Sequence, residues 1–188
     1  MRIVIGVTGA TGVQMSMNLL KALQNVEEVG THLVITRSAE VTWREECPGL
    51  SLSQMKSLAD FIYDPEDMAA RISSGTFRTD GMIVLPCSVK SLAGIASGYA
   101  DNLVLRAVDV SLKEGRKVVL VPRETPLSKI HLRNLLTCAE AGCTILPPML
   151  SFYNGPVTIE DEIDHVIGKI LMQFGIRYEK FKPWGEKR

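Results

Sequence analysis

The sequence predicts a doubly wound, mainly parallel α/β sheet, and three observations predict it. Short β-branched runs that are apolar throughout, without alternation, suit strands covered on both faces. They are separated by longer segments with helical periodicity, the strand–helix rhythm of parallel sheets. The first run is followed by a glycine-rich turn, Gly6-Val7-Thr8-Gly9-Ala10-Thr11-Gly12, and then by a helical pattern. With 188 residues the chain has the size of one α/β domain, and residues 1–188 are expected to form it. Such a length buries a core without disulfide or metal staples.

Taken in order, Arg2 to Val7 is the first buried-strand candidate and Gln14 to Leu23 the first helix. Thr31 to Thr36 is the next strand. Between Pro48 and Thr79 shorter polar helical segments with Ser, Asp and Gly breaks suggest an excursion at the sheet edge. Met82 to Leu85 ends at Pro86, Lys117 to Val121 at Pro122, and Thr144 to Leu146 at Pro147-Pro148. A helix is expected from about Leu103 to Glu114, stopped by Gly115. Thr125-Pro126 reads as an N-cap with proline at the first helical position, and Gly142 as the end of that helix. Thr158-Ile159-Glu160-Asp161 is a capping box, followed by Ile163, Val166, Ile167, Ile170 and Phe174 at helical spacing.

Composition narrows the function. Lys plus Arg is 21 and Asp plus Glu is 21, a net charge of zero, which argues against a general nucleic-acid binder. The N-terminus lacks the apolar region and cleavage site of a signal peptide. No stretch approaches the roughly 18 apolar residues of a membrane span. Cys47, Cys87, Cys138 and Cys143 show no CxxC pair and no zinc spacing with His32, His131 or His165. A cytoplasmic protein with free thiols and no metal is expected.

Parallel sheets bind ligands at the carboxyl ends of their strands, so chemistry belongs in the loops there. In the first loop, glycines allow close approach of a phosphate to the N–H groups opening a helix, and Thr11 adds a hydroxyl. The plainer alternative is a glycine turn needed only for helix–sheet packing. NAD would call for an acidic residue at the end of the second strand, where this chain has Thr36-Arg37. Arg37 leaves NADPH open, but the one Tyr-xxx-Lys match, Tyr178 with Lys182, lies in the C-terminal tail, which is wrong for a short-chain reductase. The loop Cys87-Ser88-Val89-Lys90-Ser91 sets further hydroxyls at a helix start, either as caps or as ligand contacts. Two such loops suit a ligand with a phosphate at one end and a hydrogen-bonding ring at the other, as in FMN. Cys87 has no His nearby in sequence, and a buried structural thiol is the readier explanation than a nucleophile.

Arg106 and Lys113 share one face of a predicted helix that is otherwise largely apolar. They form either a solvated stripe or a cationic site, since a charge on a buried helix must be paired or bind something. Arg123-Glu124 follows a strand end, where a paired Arg and Glu would stand over the site. Lys169 flanks the apolar stripe of the last helix, and Tyr153 follows Pro147-Pro148. Arg and Lys with a Tyr hydroxyl are what a phosphate monoester needs.

These residues carry a resemblance. The stretches GVTGATG at 6–12, SSGTFRTDGMIVLPCSVKSLAGIASGYADNL at 73–103, RAVDVSLKEGRKVVLVPRETPLSKIHLRN at 106–134, LPPMLSFYN at 146–154 and PWGE at 183–186 resemble the UbiX-type flavin prenyltransferases. Among these the chain is most similar to the members that are paired with phenolic acid decarboxylases, and the match spans essentially the whole chain. The resemblance implies a three-layer Rossmann/flavodoxin-like flavoprotein and a homo-oligomer, typically a dodecamer built from trimers. It implies transfer of a dimethylallyl group from dimethylallyl phosphate to N5 and C6 of reduced FMN without a metal. The product, prenylated FMN, would pass to a UbiD-type decarboxylase.

On the same resemblance, FMN contacts fall on Gly9, Ala10, Thr11, Thr36, Ser88, Val89, Lys90, Ser91 and Arg123. Prenyl-phosphate contacts fall on Arg106, Lys113, Glu124, Tyr153 and Lys169, with Tyr153 and Lys169 coming from a neighbouring subunit. Glu124 is the candidate for proton handling or orientation at the flavin edge. Thr11 and Thr36 replace the serine common in the family and keep the hydroxyl. Lys169 replaces an arginine common there, keeping the charge but losing the bidentate fork. Arg133 stands where the family has glutamate, with no role assigned. Two alternatives remain. A flavin-dependent cysteine decarboxylase would carry a PxMNxxMW segment, absent from Pro148 to Asn154. A non-catalytic flavin carrier would need no second phosphate site, against the retention of Arg106, Lys113, Glu124 and Tyr153.

Overall fold

The computed structural model describes residues 1–185. Glu186, the last residue of the PWGE stretch, lies outside them. The elements are β1 Arg2–Val7, α1 Val13–Gln24, β2 Gly30–Ile35, α2 Arg37–Glu46, α3 Leu52–Lys56, β3 Phe61–Tyr63, β4 Gly81–Cys87, α4 Val89–Ser97, α5 Leu103–Lys113, β5 Lys117–Pro122, α6 Lys129–Glu140, β6 Cys143–Ile145 and α7 Ile159–Met172. The strands form one sheet in the order β3-β2-β1-β4-β5-β6, and every pairing is parallel. The chain direction across the sheet reverses between β1 and β4, which makes that point the topological switch of a Rossmann-type fold.

Alternation along the central strands divides the core into two layers. Ile3, Ile5 and Val7 of β1, with Ile83 and Leu85 of β4, pack under α1, α2 and α7. Val4, Met82, Val84, Val118 and Leu120 face the other way, under α4, α5 and α6. Both faces are covered, which is why the strands read as continuous apolar runs.

Several boundaries differ from the sequence reading. Helix α6 begins after Ser128, whose hydroxyl accepts from the His131 N–H at 3.2 Å. Thr125-Pro126 precedes it in a turn and is not its cap. Strand β4 runs through Pro86 to Cys87 with an irregularity in its pairing to β5 between Val84 and Cys87, where proline offers no N–H to the ladder. Helix α7 ends at Met172, so Phe174 packs against the core from beyond it. The expected excursion contains α3 and the short edge strand β3, and α2 fills the stretch after Thr36. No helix among the described residues is long and apolar enough to cross a membrane.

Candidate active site

The loops after β1 and β4 meet at the switch point. The Thr8 hydroxyl donates to the Pro86 carbonyl at 2.8 Å and accepts from the Ser88 N–H at 2.7 Å. Thr8 is 1% exposed, so both bonds are made away from water, and they hold the two loops at one spacing. The third wall comes from Thr36. It caps α2 by accepting from Ala39 N at 3.3 Å, and its own N–H donates to the Val7 carbonyl at 3.0 Å. Gly9 passes so close to this wall that a Cβ would lie 2.5 Å from that of Ser38. Ser88 caps α4, accepting from Ser91 N at 3.2 Å and donating to the Ser91 hydroxyl at 3.1 Å. The Arg123 N–H donates to the Cys87 carbonyl at 3.3 Å, which brings the loop after β5 alongside.

Gly9, Ala10, Thr11, Thr36, Ser88, Val89, Lys90, Ser91, Arg123 and Glu124 therefore gather at one edge of the sheet. Arg123 and Glu124 form no ion pair among the described residues. The Glu124 carboxylate accepts from the Thr125 N–H at 2.9 Å, and the Arg123 side chain is exposed. Cys87 is fully buried and burial raises its thiol well above the ordinary range, which suits packing and not nucleophilic attack. Arg37, the one candidate for a ribose 2′-phosphate, pairs with Asp64 at 3.3 Å.

The first helix terminus holds a residue that the sequence reading missed. The Glu46 carboxylate, from the end of α2, accepts from Gly12 N at 2.9 and 3.0 Å and from Val13 N at 3.1 Å. It occupies the helix N-terminus expected to meet a phosphate. The amides left for an anion lie earlier in the loop, since the N–H groups of Gly9 and Thr11 form no hydrogen bond among the described residues. With the hydroxyls of Thr11, Thr36 and Ser88 around them, these donors fit a phosphate tail, while the β4 loop leaves α4 N–H groups for a ring. The residues present fit FMN.

The cationic residues do not converge in one chain. Arg106 is half-buried on α5, donating to the Ser73 carbonyl at 3.1 Å and to Asp109 at 2.5 Å. Lys113 pairs with Glu114 at the end of the same helix. Both line a cleft with Arg78, Arg116, Ser74 and Thr76, beside Lys117, the first residue of β5. That is the edge opposite the loops. Lys169 is on α7, in the other helical layer. Tyr153 meets the same helix one turn earlier, its hydroxyl 3.5 Å from Nε2 of His165. The sheet thus separates Arg106 and Lys113 from Tyr153 and Lys169. Among the described residues no cluster of three or more His, Cys, Asp or Glu side chains could hold a metal ion.

A hydroxyl-lined crevice at the switch point of a Rossmann-ordered sheet is the place where an α/β protein of this type receives a phosphate-bearing cofactor. The flavoprotein family model matches residues 1–173. A UbiX-like flavin prenyltransferase of Sedimentibacter hydroxybenzoicus is 56% identical over 184 residues, covering 98% of this chain and 97% of that one. A dodecameric FMN-dependent UbiX-like protein of Escherichia coli O157:H7, described as a decarboxylase, superposes with a TM-score of 0.96 at 52% identity, over 99% of this chain and 100% of that chain. A UbiX protein solved with FMN and dimethylallyl pyrophosphate superposes with a TM-score of 0.95 at 47% identity, over 100% of this chain and 98% of that chain. The chain belongs to the UbiX-like flavin prenyltransferases, and is an enzyme of the transferase class.

Proposed function

We propose that the chain transfers a dimethylallyl group from dimethylallyl phosphate to N5 and C6 of reduced FMN. The prenylated FMN would serve a UbiD-type decarboxylase of phenolic or other aromatic acids. The observation that carries this reading is the pair of loops joined through Thr8 at the switch point, in a chain of this family. Gly9, Ala10, Thr11 and Thr36 would hold the FMN phosphate, and Ser88 to Ser91 with Arg123 the ring. Reduced FMN supplies the nucleophilic positions when bound.

The protein's part is electrostatic. Arg106, Lys113 and Lys169 would neutralise the phosphate as the allylic C–O bond breaks, with the Tyr153 hydroxyl donating to it, a task that needs no metal. Apolar walls would keep water from the allyl group. Glu124 would orient the flavin edge or take up a proton there. Because α5 and α7 lie on opposite faces of the sheet, a complete site would draw on several protomers. A homo-oligomer supports this, as in the dodecameric relative, and exposed apolar residues such as Ile130, Leu136, Phe152 and Val157 offer surface for it. We place the enzyme in the cytoplasm and expect residues 1–188 to act as one domain.

The test is anaerobic. Protein loaded with FMN, reduced with dithionite and given dimethylallyl phosphate should yield a flavin heavier by one five-carbon prenyl unit on mass spectrometry. An unchanged flavin on protein that has bound FMN would overturn the transferase reading in favour of a carrier.

A further inference from the structure

We propose that His165 is a positioning residue for the Tyr153 hydroxyl, its Nε2–H fixing the phenol so that the phenolic proton faces the leaving phosphate. The inference rests on the reading above, in which Tyr153 and Lys169 belong to the phosphate site. It starts from geometry. His165 sits on α7 one turn before Lys169, so the two side chains leave the same helix face. The imidazole meets the Tyr153 ring edge-on, with centroids 5.5 Å apart and planes at 83°, and Nε2 lies 3.5 Å from the hydroxyl. The other side of Tyr153 is closed by Trp184 at 5.1 Å, also edge-on, while Phe181 packs on the imidazole at 5.2 Å. The phenol thus lies between two rings, half-exposed, with the His165 imidazole at the edge of hydrogen-bond distance from its hydroxyl.

The sequence offers no packing reason for histidine here. His165 is 7% exposed on a helix whose neighbouring Val166, Ile167 and Ile170 are buried, and its Nδ1 makes no hydrogen bond among the described residues. A buried imidazole with one nitrogen unpaired costs more than the phenylalanine or leucine that the position would otherwise take. Among the described residues its remaining nitrogen has one partner within hydrogen-bond distance, the Tyr153 hydroxyl at 3.5 Å. Burial, with the Lys169 ammonium acting in the same direction and Glu162 opposing, holds the imidazole below its ordinary pKa. Asp164, Lys180 and Lys182 line the adjoining cavity. The ring is therefore neutral at pH 7 and carries one proton. With that proton on Nε2 it donates to the phenolic oxygen, which leaves the phenolic hydrogen free for a phosphate oxygen. Charge develops on that oxygen as the C–O bond breaks, so a fixed donor acts mainly in the transition state.

The test compares His165→Phe, which keeps ring and volume, with His165→Gln, which keeps a donor, each in the wild-type and Tyr153→Phe backgrounds. FMN loading and oligomeric state, expected to match wild type, report folding. His165→Phe is expected to lower kcat for flavin prenylation about tenfold while KM for dimethylallyl phosphate stays within about twofold. His165→Gln should recover most of the loss, and in Tyr153→Phe protein the His165→Phe change should add nothing. A His165→Phe enzyme as fast as wild type would overturn the positioning role alone, as would an independent loss in the Tyr153→Phe background or a failure of Gln to rescue. If wild-type protein binds FMN and never prenylates it, the reading beneath the proposal falls, and the proposal with it.

Discussion

Thr8 and Ser88 stand eighty positions apart in sequence and are joined by a 2.7 Å hydrogen bond from the Ser88 N–H to the Thr8 hydroxyl. The same hydroxyl donates to the Pro86 carbonyl, so one side chain sets the spacing of the two loops that frame the crevice.

Thr8→Val keeps the shape and removes both bonds, leaving a buried N–H and a carbonyl without that partner. The expected cost is about 1–3 kcal/mol of stability and about tenfold in FMN affinity, with Thr8→Ser close to wild type. Thermal denaturation and flavin titration check it, and an unchanged affinity in Thr8→Val would separate the loops from flavin binding.

Arg123→Ala is expected to abolish FMN binding with little change in the melting temperature, because the side chain is exposed and forms no ion pair among the described residues. Flavin fluorescence quenching measures it. Normal affinity would remove Arg123 from the flavin contacts.

Mixed oligomers test the separation across the sheet. Arg106→Ala and Lys169→Ala proteins should each be close to inactive. Assembled together in equal amounts, they should regain up to about a quarter of wild-type turnover, the share of sites in which two randomly drawn protomers are both intact where needed. No recovery on mixing would mean that one chain supplies both groups.

Glu46→Gln should destabilise the chain by about 1 kcal/mol, since a carboxylate on three bonds to the Gly12 and Val13 N–H groups is replaced by a neutral amide. A drop of about 2–4 °C in melting temperature is expected. An equal melting temperature would show that the charge contributes nothing at this terminus.

Acid should weaken the fold through His32. The ring is buried against Phe61 and accepts or donates one bond, at 2.8 Å, to the Tyr63 hydroxyl. Burial, with Arg2 and Arg71 nearby, lowers its pKa from 6.5. Below 6.5 the unfolded chain takes up a proton that the folded ring resists, so this part of the stability is lost as pH falls through that value. His32→Phe should flatten the decline in melting temperature between pH 7 and 5. An unchanged slope would assign the decline elsewhere.

The parts legible in the sequence are those whose signals are local. Strands β1, β2, β4 and β5 announce themselves as apolar runs, and the Thr158 box marks the start of α7. Strand β3 does not, because Phe61 to Tyr63 is an edge segment whose extended form comes from pairing with β2. Thr125-Pro126 gives the plainer signal for a helix start, but the box between Ser128 and His131 opens α6 three residues later. The crevice loops were readable by the same token. Glu46 was not, since its contact with Gly12 spans thirty-four positions. His165 likewise reads as one more residue on a stripe until Tyr153 is folded against it. The placement of α5 and α7 on opposite faces rests on contacts between segments far apart in the chain, which no single segment encodes.

That placement has a consequence for the newly made chain. On the proposed reading, a solitary copy already carries the flavin cradle and every phosphate-binding cation, yet two sets of those cations point away from each other across a covered sheet. Folding then completes the parts without completing the machine. Onset of turnover would track how often copies meet, so that dilution silences the enzyme without unfolding it, and an orphan subunit leaves allylic phosphates untouched.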